Sequence, residues 1–197
     1  MSDPHVLGDE LAPTPFTAGE IAAACPDGHW LLVRTERVGE TSFQRSGFEQ
    51  GDAEGVHLTN VTTDASGTPT GEVRRSRATW RELQAHAAFP RAATSVAQER
   101  IRLAFGERDC LRYDVAGAAG SSTFWFAIEH PGMPVRYRTA GVAVEVVAIG
   151  GAALRRYAER SCGDGTRRLR ERRARATPAC DRADRDRSAG RAGARER

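Results

Sequence analysis

Five histidines, His5, His29, His57, His86 and His130, are the side chains whose chemistry could include metal binding or general-base work. None stands at ligand spacing from another histidine or from a carboxylate. They are expected to be solvated or hydrogen-bonded structural residues, His57 in a strand beside Val56 and Leu58 and His86 on the flank of a helix. Cys25, Cys110, Cys162 and Cys180 are far apart with no CxxC, which predicts free thiols and leaves a Cys25–Cys110 bridge open. Ser121 and Ser122 follow AGAAG, a run without the G-x-S-x-G elbow of an acyl-transfer nucleophile, without a phosphate-loop lysine and with no helix after it. These patterns predict no catalytic residue, no metal site and no cofactor.

Aromatic residues offer a different chemistry. Trp30, Trp80 and Trp125, with Phe89, Phe124 and Phe126, could line an apolar cavity between a sheet and a helix, although filling the core is the first expectation for each. Trp125 is the exception, because it alternates out of phase with Phe124 and Phe126. Trp80 and Trp125 are therefore the candidate ligand-binding residues.

The elements that must position these side chains follow from periodicity. From Asp109 to Ile149 the chain reads DCLRYDV, TFWFAIEH, the turn PGMP, VRYRT and VAVEVVAI, with the two-residue alternation of strands that bury one face. Pro131 and Pro134 cannot donate ladder hydrogen bonds, so HPGMPV interrupts the strands. Further strands are predicted at HWLLVRTERV, at 55–63, at 72–77 and at about 95–105. Thr17 with Glu20, and Thr79 with Glu82, match capping boxes that open two short helices, EIAAAC and TWRELQAHAAF. Trp80, Leu83 and Ala87 share one stripe of the second. The expected fold class is α+β: a curved, mainly antiparallel sheet of seven or eight strands wrapped around the Thr79–Phe89 helix.

Charge divides the chain. Residues 1–150 hold 14 Arg against 19 acidic residues, a net of −5, and residues 151–197 hold 15 Arg against 7 acidic residues, a net of +8. All 29 basic residues are Arg, which reflects coding bias more than function. The expected organisation is a flexible arm at 1–15, one α+β domain at 16–150 and an Arg-rich, largely disordered tail at 151–197, which has too few large apolar residues to offset the entropy of ordering. Acidic residues dilute the tail's charge, so weak, salt-sensitive, nonspecific contact with nucleic acid is the most it predicts. MSDPHVLGDE has neither a basic n-region nor an apolar h-region, and no apolar run approaches membrane-spanning length. A cytoplasmic location is the expectation.

The phrases DCLRY, FWFA and PGMPVRY, with ERIRLAFG upstream, resemble uncharacterised bacterial β-rich proteins similar to lipoprotein carriers of the LolA type. The likeness covers roughly residues 95–149. It implies a curved antiparallel sheet half-closed around helices. Carriers of that kind act outside the cytoplasm and bear a signal peptide, which this sequence does not show.

Three functions remain in view. The first is a non-enzymatic domain whose concave face holds an apolar small molecule or a partner segment. The second is a small-molecule hydrolase with a His/carboxylate site hidden from spacing, and the third an interaction protein that uses the basic tail. Oligomeric state is not legible in the sequence.

Overall fold

Among the described residues, alternating side chains resolve into nine strands of a single, open, all-antiparallel sheet. The computed structural model describes residues 3–118 and 120–151, so the expectations for the tail beyond residue 151 lie outside the described residues. Four strands precede the second helix: β1 (Trp30–Arg37), β2 (Glu40–Glu49), β3 (Gly55–Thr63) and β4 (Arg74–Thr79). Five follow it: β5 (Thr94–Leu103), β6 (Gly106–Val115), β7 (Ser122–Ala127), β8 (Arg136–Thr139) and β9 (Val142–Gly150). The helices α1 (Ala18–Ala24) and α2 (Trp80–Ala85) are short, so the architecture is mainly β rather than α+β.

Nine strands replace the expected seven or eight. The addition is β2, whose sequence offers only Phe43 and Phe48 as large apolar residues and for which no strand was predicted. Ladders on both sides, to β1 and to β3, hold it regardless of propensity. Elsewhere the periodicity is followed closely: Leu31, Leu32 and Val33 are buried while the end of β1 is exposed. Residues 128–135 separate β7 from β8, as the two prolines require. Both capping boxes form, each threonine side chain accepting from the third helical amide while the glutamate accepts from the threonine N–H. The second helix stops at Ala85, shorter than TWRELQAHAAF suggests.

The strand order is β4-β3-β2-β1-β9-β8-β7-β6-β5. Two meanders thus meet at one ladder, between β1 and β9, with a register shift between Leu32 and Val33. Strands β4 and β5, consecutive in sequence, lie at opposite edges, so residues 80–93 must carry the chain from one edge to the other. They do so over one face, where Phe16, Ile21, Trp80 and Ala87 join the same core as Val33, Phe48, Tyr113 and Phe126.

The arm expected to be loose is tied down through its described part, residues 3–15. Gln84, 3% exposed, donates to the Pro4 carbonyl and to Thr14 Oγ1 and accepts from the Ala18 N–H. Tyr113 donates its hydroxyl to the Pro13 carbonyl, and Leu11 bridges to Pro90. Prolines had suggested freedom, but their unpaired carbonyls serve as acceptors for buried donors.

Gly55 stands where β3 meets β4, and a Cβ there would run into the Ala78 carbonyl oxygen and the Thr79 Cα. Gly55→Ala is expected to cost about 2 kcal/mol through overpacking against backbone that cannot yield. Urea unfolding measures it; an unchanged midpoint would contradict the close approach.

Candidate functional site

The crossing segment leaves a gap between itself and the sheet. A cavity of about 390 Å³ lies there, lined from α2 and its continuation by Leu83, Ala87 and Phe89, from the sheet by Phe48, Phe124 and Tyr137, and closed by Met133. Its aromatic wall is ordered: Phe89 stacks on Phe124 at 4.8 Å between centroids, and Phe124 stacks on Tyr137 at 5.7 Å. Register explains that wall, since Phe124 pairs with Tyr113 on one side and Tyr137 on the other, so all three present the same face. Among the described residues, His86 is the only ionisable group besides Tyr137 on the lining, which suits apolar solutes and offers no acid–base pair there.

The predicted site residues fall elsewhere. Trp80 is buried at the start of α2, where its Nε1 donates to the Asp52 carbonyl at 2.8 Å, and it does not line the cavity. Trp125 faces the other side of the sheet, its Nε1 donating to Glu99 at 3.0 Å and the Arg138 guanidinium over its ring at 5.8 Å. The out-of-phase position of Trp125 therefore marks a residue flanked by charged side chains, and neither Trp80 nor Trp125 lines this cavity. Phe89, Phe124 and Phe126 do line the cavity. Met133 and Tyr137 were missed: one lies in a turn and the other in a four-residue strand, and neither has a periodic pattern long enough to assign a face.

A smaller cavity of about 120 Å³ shares Phe48, Gly132 and Met133 with the first and is flanked by Cys25, His29 and His130. It has the residue types of a thiol–imidazole site without the required ionisation. Burial pushes the Cys25 thiol up to about 12, and its Sγ donates to the Pro131 carbonyl at 3.6 Å. Cys110, also buried, is pushed up to about 11, chiefly by desolvation, and donates to the Arg108 carbonyl. Both are free, which closes the disulfide alternative. Burial lowers His29, helped by nearby His130, and lowers His130, helped by Arg108 and opposed by Glu129. Among the described residues, no group of three or more His, Cys, Asp or Glu is arranged to hold a metal, and no helix is long and apolar enough to cross a membrane.

Neither protein-family models nor curated proteins match the chain. Among solved structures it is similar to the complex of Pseudomonas aeruginosa MucA and MucB, with 11% identity over 68% of this chain and 55% of that one and a TM-score of 0.45. A second structure, MucB in complex with MucA(peri), gives 13% identity over 68% and 54% at the same TM-score of 0.45. The chain thus spans about half the length of the proteins it matches. Likeness at this level carries no ligand, partner or activity across. The expected cytoplasmic location is withdrawn, since the similar structures include one of MucB with MucA(peri).

Two outcomes follow from the buried thiols and imidazoles. In the folded protein at pH 8, iodoacetamide should leave Cys25 and Cys110 unmodified while both react fully in denaturant, as peptide mass spectrometry would show; rapid native labelling of either would refute the burial. Because His29 and His130 bind protons less readily folded than unfolded, stability should be full above the ordinary histidine value of 6.5 and fall as the pH drops through their lowered values. Unfolding midpoints at pH 7.5 and 5 test this, and replacing both histidines with Gln should flatten the difference.

Proposed function

We propose that this chain is a non-enzymatic binding domain that takes an apolar small molecule into the cavity between the crossing segment and the sheet. One observation carries the reading: a space of about 390 Å³ walled by stacked aromatic rings, with no acid–base pair to perform chemistry on what enters. Burying a ligand's apolar surface against such walls supplies affinity without directional contacts.

The path of the chain supports a bowed sheet around that space. Eight inter-strand gaps separate β4 from β5, about 38 Å if the sheet lay flat. Residues 80–93, six of them helical and three in a 3-10 turn, span only about 32 Å. A sheet that curves, with its concave side towards α2, lets a connection of that length close. Phe89, on the crossing segment, accordingly reaches both Tyr113 on β6 and Phe124 on β7.

N-phenyl-1-naphthylamine, a neutral apolar fluorophore, tests the cavity directly. Saturable enhancement is expected with the wild-type chain, weakened about tenfold or more by Leu83→Trp, the loss of about 1.4 kcal/mol of binding. Circular dichroism of the variant confirms that it remains folded. No enhancement in the wild type, or equal affinity in a folded variant, would overturn the reading. Binding of an apolar peptide in preference to the fluorophore would reassign the occupant to a partner segment.

A further inference from the structure

The face of the sheet turned away from the helices carries a recess that the apolar cavity does not use. Cross-strand register sets Arg136 beside Glu145 and Glu145 beside Arg34, across β8, β9 and β1. In the adjoining row, Arg138 stands beside Ala143 and Ala143 beside Glu36. One small side chain among five long charged ones leaves a depression of about 150 Å³ floored by Ala143.

Its charges are unequally committed. Arg136 donates through Nε and Nη2 to Glu145 Oε2 at 3.0 and 2.8 Å, and Nη2 also donates to the Arg102 carbonyl. Arg34 sits 3.2 Å from Glu36 and 4.0 Å from Glu145. Arg138 has no ion-pair partner among the described residues and is held over the Trp125 ring at 5.8 Å. Three guanidinium groups therefore face two carboxylates, and the excess charge is the one whose donors are free. Stacking on a buried ring orients Arg138 without consuming those donors, so little freedom is lost when they engage an anion.

We propose that this recess binds a phosphate or carboxylate group. Arg138 supplies the uncommitted donors, and Arg34, held by a single carboxylate contact of hydrogen-bond length, turns from Glu36 to the anion. Arg136 stays on Glu145 and fixes the rim. A planar guanidinium matches both oxyanions through paired N–H donors, so the two share one recognition chemistry. The site lies on the face opposite the apolar cavity and stands or falls independently of it.

The test follows arginine Nε–H resonances of the full chain during titration with inorganic phosphate and, separately, with acetate, ionic strength being held constant with chloride. Saturable shifts of Arg138 and Arg34 are expected, with binding weakened at least about fivefold by Arg138→Gln and by Arg34→Gln. Arg74→Gln, on the exposed edge strand β4, should bind as the wild type does. Saturation by phosphate alone, by acetate alone or by both each supports the site and identifies the group it prefers. Shifts that do not saturate, that chloride reproduces, or that persist unchanged in a folded Arg138→Gln protein would overturn it.

Discussion

The structure depends on a connection between two edges. Strands β4 and β5 follow one another in the chain and lie eight strand spacings apart in the sheet, so the fourteen residues between them must traverse the whole layer. A helix with one buried side is an economical way to begin this, because its backbone groups bond internally while Trp80, and Ala87 just beyond it, cover the apolar face beneath. Everything on that face, including both helices and the aromatic cavity, is arranged around this crossing.

Polar residues make the crossing specific. Gln84 lies on the buried side of α2, where an apolar residue would pack as readily but would satisfy no one. Its amide instead completes three hydrogen bonds, to the arm at Pro4 and Thr14 and to the first turn of α1 at Ala18. Removing such a group would leave several buried partners unsatisfied, each costing about 1–3 kcal/mol, whereas its presence adds modestly to net stability. Its main effect is to select one docking of the arm and α1 on α2 over others of similar apolar area.

The two faces of the sheet have opposite characters. Towards the helices, aromatic rings stack and enclose space; away from them, arginines and carboxylates form cross-strand pairs, such as Arg136 with Glu145 and Arg112 with Glu99. Trp125 lies on the charged face and is still buried, with the Arg138 guanidinium over its ring and its Nε1 donating to Glu99. Charged neighbours thus complete the burial of a ring that also belongs to the hydrophobic core cluster.

Local signals determined what local physics controls. The alternation in DCLRYDV and VAVEVVAI, the two threonine–glutamate capping boxes and the proline-bounded turn at 131–134 were legible because each depends on residues within a few positions of one another. The strand β2, the pinned arm and the membership of the cavity were not. Phe43 and Phe48 do not make a strand without ladders on both sides, Pro4 and Pro13 do not become acceptors until Gln84 and Tyr113 arrive from far along the chain, and a stripe on a helix does not say which wall a residue such as Trp80 meets. Three phenylalanines of the cavity could be named in advance, since their burial follows from parity along a strand or from the apolar end of a helix. That they enclose a space rather than fill it is a property of the long connection above them, which only the assembled sheet decides.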